Sequence, residues 1–155
     1  MVIHETDATT FTEFVAANEA RLRHGLIAAL GGEAGREAAA EALAWGWENW
    51  GRLAEMKNPV GYLYKVGRDR GRRNLGRHRP MLFSVDTARI PDVEPGLPHA
   101  LSQLSERQRT VVLLVHCFEW TLSEVAELLG LSKTTVQNHL ERGMATLRRE
   151  IGEDT

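Results

Sequence analysis

The 155-residue sequence predicts an all-α protein made of two small helical domains joined by a proline-rich linker. Apolar residues recur three and four positions apart along most of the chain, whereas alternating Val, Ile and Thr runs are almost absent. Four of the five prolines lie between residues 80 and 98, and this density prevents a continuous helix. We therefore expect helical domains over residues 10–79 and 97–152, with a linker at residues 80–96.

The composition is that of an ordinary globular protein, with 43% hydrophobic and 26% charged residues. The apolar runs are too short to span a bilayer, and no charged-then-apolar signal peptide opens the sequence. The single cysteine, Cys117, excludes an internal disulfide and a multi-cysteine zinc site, and we interpret it as a packing residue of an apolar helix. These features predict a cytoplasmic protein that makes no membrane contact.

The net charge of −2 hides a strong local asymmetry. Residues 58–80 hold seven basic side chains and one acidic side chain, a net charge of +6, whereas residues 1–57 carry −4. A concentrated positive segment attracts polyanions such as nucleic acid. Because only three of the 19 basic residues are lysine, an arginine-rich but merely solvated helix face explains the charge equally well.

Three helices are predicted in the first half. Residues 10–13 form a capping box that favours a helix start, and the glycine pair at residues 31–32 favours its end. A second helix is predicted over about residues 33–55. The third begins after Asn58, a capping residue, with Pro59 at its first position. Its several glycines lower helix propensity, and we interpret them as points where another backbone approaches.

Aromatic residues in this half divide into core and surface candidates. Trp47 and Trp50 share an apolar stripe and are predicted to be core, whereas Trp45 lies off that stripe. Tyr62 and Tyr64 lie within the basic segment and are candidates for stacking on unpaired bases. They cannot face the same side of a helix, so at least one of them is predicted to be core.

The second half carries the pattern of a helix-turn-helix motif. Capping boxes at residues 105–108 and 121–124 predict two helix starts, Gly130 ends the second helix, and Ser132 caps a longer one. A short capped helix, a glycine turn and a longer amphipathic helix form this motif. Five apolar residues supply its predicted seam: Val125, Leu129, Leu131, Val136 and Leu140.

With that seam buried, the outer face of the longer helix is polar and predicts DNA binding. Gln and Asn can pair with adenine, Arg can pair with guanine, and short polar groups near a helix start can bind phosphates. The alternative is a helical hairpin with a solvated outer face. The outward side chains are Lys133, Thr134, Gln137, Asn138, Glu141 and Arg142.

Several segments resemble a known family. Residues 104–109 (Leu-Ser-Glu-Arg-Gln-Arg), residues 121–132 and residues 135–148 resemble the promoter-reading region four of small bacterial sigma factors. Residues 58–69 (Asn-Pro-Val-Gly-Tyr-Leu-Tyr-Lys-Val-Gly-Arg-Asp), with the arginines that follow them, resemble region two. The resemblance extends over about residues 10–79 and 97–152, and its two-domain architecture is typical of the extracytoplasmic-function group.

The resemblance implies a protein that is not an enzyme and that binds core RNA polymerase, directs it to promoter DNA and helps to open the duplex. It implies an anti-sigma factor as a further partner, and no cofactor, metal or catalytic residue. For the upstream (minus-thirty-five) element it adds Ser132 and Thr135 to the six outward residues above. For the downstream (minus-ten) element it implies Tyr62, Lys65, Arg68, Asp69, Arg72, Arg73 and Arg77. For polymerase docking it implies Glu37, Ala40, Glu41, Trp45 and Glu48.

Two departures from the family pattern keep other functions open. Glu37 and Ala40 stand where the docking helix usually has Asp and Gln, and Asp69 stands where Asn is common. A sigma-like protein that binds polymerase or an anti-sigma factor without opening promoters is therefore one alternative. Another is a stand-alone regulator, because residues 135–140 also resemble the recognition helix of LuxR-type proteins.

Overall fold

A computed structural model of the chain describes residues 5–78 and 96–152, and it confirms the all-α prediction. The described residues form helices and turns and contain no strand. None of the described helices is long and apolar enough to cross a membrane. The helices are α1 (Glu5–Leu30), α2 (Gly32–Glu48), α3 (Trp50–Leu53), α4 (Pro59–His78), α5 (Leu97–Ser102), α6 (Glu106–His116), α7 (Leu122–Leu129) and α8 (Lys133–Ile151).

Helices α1, α2 and α4 pack together through small residues. The buried face of α2 is made of Gly35, Ala38, Ala39, Ala42 and Gly46, which let neighbouring backbones come close. A side chain at position 35 would lie 2.5 Å from the Ile27 backbone of α1. Gly67 of α4 also approaches a neighbouring backbone, at the Ala38 carbonyl. The expected backbone approach is therefore found at Gly67 but not at Gly61 or Gly71, where an added methyl group would meet side chains.

The second half is organised by local caps that agree with the sequence analysis. The Ser105 and Thr121 hydroxyls accept backbone N–H groups three residues later, and both complete capping boxes. Ser132 caps α8 by accepting the Thr135 backbone N–H. Gly130 ends α7 with φ 68°, a left-handed conformation that glycine adopts without steric cost. These caps fix the angle between α7 and α8 and so shape the motif.

One continuous apolar core joins the two halves. Leu22 and Leu26 of α1, Tyr64 of α4, Val111 of α6 and Leu128 of α7 are all buried in the same cluster. Helix α1 therefore packs against elements from both predicted domains. The predicted linker at residues 80–96 lies outside the described residues, except for Gly96, which forms a turn before α5.

Three local expectations were wrong. The described part of α1 already starts at Glu5, so the capping box at residues 10–13 lies inside a helix; there Phe11 packs on Trp50 with ring centroids 5.3 Å apart. The predicted helix at residues 33–55 ends at Glu48, because the Asn49 side chain turns back and donates to the Trp45 carbonyl at 2.9 Å. Cys117 is exposed at the end of α6 and is not a packing residue.

Gly35→Ala tests the contact between α1 and α2. The added methyl group meets the α1 backbone, which cannot rotate away as a side chain can, so we expect a loss of about 1–3 kcal/mol in the free energy of unfolding. Gly51→Ala is the matched control, because Gly51 is an exposed residue of α3 and nothing lies within 4 Å of the added methyl group. Urea unfolding of both variants measures the difference, and equal stability would contradict the close packing.

Candidate nucleic-acid interface

The α7–α8 pair has the buried seam and the polar outer face that the sequence predicted. Val125, Leu129 and Val136 are buried, and Leu131 and Leu140 pack partly buried against the same core. Because these five residues occupy the inner side, the polar side chains of the first three turns of α8 face solvent. Exposed side chains there are Ser132, Lys133, Thr134, Gln137, Asn138, Glu141 and Arg142, with Thr135 partly buried.

Hydrogen bonds preorganise part of this face. The Gln137 amide donates to the Glu141 carboxylate at 3.3 Å, one turn along the helix, and this leaves the Gln137 amide oxygen free to accept. The Ser132 and Thr135 hydroxyls lie 2.8 Å apart at the start of α8. His139 sits beside Arg107 and Arg142, and partial burial together with these cations lowers its pKa. Lys133 and Arg142 outnumber Glu141 on this face, so the face carries a small positive charge.

Helix α4 presents the basic segment. The Asn58 side chain caps it by accepting the Gly61 backbone N–H at 3.1 Å. Tyr62 is 37% exposed and Tyr64 is 2% exposed, which confirms that one of the two tyrosines belongs to the core. Lys65, Asp69, Arg72 and Arg73 are exposed, Arg68 is partly buried, and Arg77 lies in the last turn of the helix.

A carboxylate from the other half engages two of the α4 arginines. The Arg72 guanidinium binds Glu106 Oε2 through Nη2 at 2.6 Å and through Nε at 2.7 Å. Arg68 Nε lies 3.9 Å from Glu106 Oε1. This role of Glu106 was not predicted, because local spacing carries no information about a partner 34 residues away.

The residues expected to bind polymerase lie along one side of α2. Glu37, Ala40 and Glu48 are exposed, and Glu41 and Trp45 are partly buried. The Trp45 ring lies 5.3 Å from the Tyr62 ring between centroids. This contact makes the α2 surface continuous with the exposed start of α4, so the two predicted surfaces are neighbours.

Further polar contacts join α1 and α4 to the helix-turn-helix motif. Arg21 lies 3.6 Å from Glu124 and 4.0 Å from Glu127, and its guanidinium sits 6.0 Å from the Trp120 ring centroid. The Asn58 side-chain amide donates to the Glu127 carbonyl at 2.6 Å. These contacts connect residues that are distant in sequence, so local patterns do not predict them.

Aromatic stacking adds to the contacts between α1 and the second half of the chain. The His24 ring stacks on Phe118 at 4.4 Å between centroids, and burial, reinforced by the neighbouring Arg23, lowers the His24 pKa. The imidazole therefore stacks mainly in its neutral form near neutral pH.

An open cleft of about 230 Å³ lies where the start of α4 meets the turn before α8. Its walls combine an exposed aromatic ring, a lysine and apolar side chains, a mixture that suits a planar base better than a free anion. The lining residues are Met56, Asn58, Gly61, Tyr62, Lys65, Leu128 and Gly130. Within residues 5–78 and 96–152, no three His, Cys, Asp or Glu side chains are grouped so as to hold a metal ion.

Comparison with known proteins points to one family. Residues 96–147 match the family described as Sigma-70, region 4. An RNA polymerase sigma-E factor of Streptomyces antibioticus is 33% identical over 121 residues, and one of Streptomyces avermitilis is 31% identical over 121 residues. Each match covers 71% of this chain but 66% of the relative's own length, slightly under two thirds.

A solved structure shares the fold. The sigma factor RpoE of Bartonella quintana, crystallised in complex with the anti-sigma factor NepR, aligns with a TM-score of 0.61 at 17% sequence identity. The alignment covers 94% of this chain and 99% of the Bartonella chain. The similarity therefore extends over both halves and the order of their helices.

The capping box of α7 predicts a pH-dependent contribution to stability. The Thr121 backbone N–H and hydroxyl both donate to the Glu124 carboxylate and hold its pKa below the usual 4.5. A lowered folded-state pKa stabilises the fold at pH values above 4.5, and this contribution is lost as the pH falls through the folded-state pKa.

Thr121→Ala removes the hydroxyl but keeps the backbone donor. We expect it to lower the free energy of unfolding at pH 7 by about 0.5–2 kcal/mol, because the cap on α7 is lost. The difference from the unmodified chain should shrink as the pH falls below 4.5 and Glu124 takes up a proton. Urea unfolding at pH 7 and pH 3 measures this, and Ser123→Ala, at an exposed neighbouring position, is the control. A pH-independent difference would contradict the carboxylate's role.

Proposed function

The chain belongs to the bacterial RNA polymerase sigma factors of the extracytoplasmic-function type, and we propose that it directs core RNA polymerase to promoters and helps to open them. The observation that carries this proposal is the pairing of two surfaces on one core. The helix-turn-helix with its exposed polar face lies within residues 96–147, which match Sigma-70 region 4. The basic helix α4 with an exposed aromatic ring supports a role for this helix like that of region two, which its sequence resembles.

We assign one binding partner to each of three surfaces, on α8, α4 and α2. We assign the exposed face of α8 to the minus-thirty-five element, because Gln137, Asn138 and Arg142 carry the groups that read base edges in the major groove. We assign the exposed residues of α4 to the minus-ten element, where arginines bind phosphates and Tyr62 stacks on an unpaired base. The exposed side of α2 is assigned to core polymerase.

The proposed role is binding, not catalysis. Polymerase and promoter DNA are its partners, and that role places the chain in the cytoplasm. An anti-sigma factor is a further proposed partner, because the Bartonella relative of the same fold was crystallised with one. The net charge of −2 fits this role, since an acidic chain approaches DNA poorly unless a larger complex already holds the duplex.

Arg142→Ala tests the promoter-reading assignment. The holoenzyme formed with the variant should bind less tightly, by about 1–3 kcal/mol, to duplex DNA selected from a random pool by the wild-type holoenzyme, because one base-reading side chain is lost. Gel filtration should still show one-to-one co-elution with core polymerase. Arg148→Ala, on an exposed later turn of α8, is the control.

Co-elution separates the candidate functions. A wild-type chain that fails to co-elute with core polymerase but binds DNA alone would favour a stand-alone regulator. A chain that co-elutes without opening any promoter would be a decoy. Loss of polymerase binding by Arg142→Ala would show that this face has been assigned to the wrong partner.

The double variant Lys65→Ala/Arg73→Ala tests phosphate contact by α4. Both side chains are exposed and neither pairs with Glu106, so their loss leaves the contacts between the two halves in place. Holoenzyme binding to promoter DNA should weaken, and the slope of log K against log salt should become shallower by about two. Arg36→Ala/Arg52→Ala removes the same charge from exposed sites on α2 and α3. Equal slopes for the two double variants would contradict the assignment.

A further inference from the structure

Two of the arginines that the proposed function assigns to DNA are already bound within the chain. Glu106 is the first residue of α6 and reaches across to Arg68 and Arg72 on α4. Arg72 meets one carboxylate oxygen through two nitrogens, a geometry that a phosphate oxygen also offers. The Glu106 carboxylate therefore occupies the position that a DNA phosphate would take.

We propose that Glu106 is an internal competitor of DNA, which holds the free chain closed by binding Arg68 and Arg72. The proposal rests on the proposed function, because it needs α4 to be a DNA surface. Phosphate can reach these two guanidinium groups fully only when α6 moves away from α4. The free chain then has one engaged DNA surface on α4 and one exposed DNA surface on α8.

The contact between Glu106 and Arg68 is partly shielded from water, which strengthens the attraction between the carboxylate and the guanidinium group. The side chains of Arg68 and Glu106 are 19% and 25% exposed, so water screens their interaction less than that of a surface pair. The buried Arg68 Nε makes no hydrogen bond within the described residues, and its carboxylate partner is 3.9 Å away. One carboxylate thus neutralises only part of the charge of two guanidinium groups. The α4 surface therefore keeps a net positive charge that attracts a phosphate.

Other contacts hold the same arrangement, and they limit the expected effect of one substitution. Tyr64 of α4 and Val111 of α6 are buried in one apolar cluster, and Asn58 donates to the Glu127 carbonyl. Removing the Glu106 charge therefore shifts the balance between closed and open forms without abolishing the closed form. The apparent DNA affinity rises in proportion to the open fraction.

Two matched substitutions break the same ion pair from opposite sides. Glu106→Gln and Arg72→Gln both weaken closure, but only Glu106→Gln leaves every DNA-binding arginine in place. Closure is measured in the full chain by energy transfer between dyes at Arg52 on α3 and Arg149 on α8, both exposed, in a Cys117→Ser background. DNA binding is measured with a 20-nucleotide single-stranded oligonucleotide by fluorescence anisotropy at low salt.

We expect both variants to shift towards the open distance, and Glu106→Gln alone to bind the oligonucleotide about five times more tightly. Glu33→Gln, which removes the same charge from the exposed first turn of α2, should change neither property. Circular dichroism checks that each variant is folded. If Glu106→Gln does not fold, Arg72→Gln alone tests whether the ion pair holds the chain closed.

The remaining outcomes overturn the proposal in distinguishable ways. If neither variant changes the dye distance, Glu106 does not hold the chain closed, even when affinity rises through charge alone. If both variants open the chain but affinity for the oligonucleotide does not rise, α4 is not the DNA surface, and the fault lies in the proposed function's assignment. Promoter selection by the holoenzyme through α8 would be unaffected by either result.

Discussion

The burial of Tyr64 of α4 and Val111 of α6 in one apolar cluster packs the two halves together, and the surroundings of the α4 arginines depend on this packing. Tyr64 is 2% exposed, and its burial raises its pKa. Arg68 and Arg72 follow one and two turns later on the same side of α4. Glu106 precedes Thr110 by one turn, and its carbonyl accepts the Thr110 hydroxyl at 2.7 Å. Helical spacing from this buried packing brings the Glu106 carboxylate to the Arg68 and Arg72 guanidinium groups.

The two proposed DNA surfaces differ because their helices occupy different places in the core. Helix α8 lies at the edge and buries only its inner side, including Val136 and Leu147, so its opposite side remains accessible. Helix α4 lies between α1, α2 and α7 and buries Leu63 and Tyr64. On the flank that faces α6, Arg68 and Arg72 meet Glu106, an acidic side chain of the chain itself. Lys65 and Arg73 remain exposed.

Sequence reasoning succeeded where the determining interactions are local. The caps at Ser105 and Thr121 need only a partner three residues away, and Gly130 needs only its own backbone conformation, so all three were predictable. The break at Asn49 was not, because a single asparagine inside an apolar pattern gives no distinct signal. The contacts of Glu106 were not predictable either, since they depend on how α4 and α6 pack. For the same reason the apolar cluster that the two halves share was not predictable, since it joins residues that are distant in sequence.

The closed arrangement constrains how a polymerase could open the chain. A partner that binds closed and open forms equally well shifts no population, however tightly it binds. The proposed docking residues of α2, such as Glu37 and Glu48, are exposed while α4 and α6 are in contact, so docking on them alone does not distinguish the two forms. Opening therefore requires a partner that also binds surface buried between the halves, such as the side of α6 that carries Glu106 and Thr110. Polymerase docking through α2 and release of the α4 arginines are then separate steps, and only the second one is opposed by the contacts within the chain.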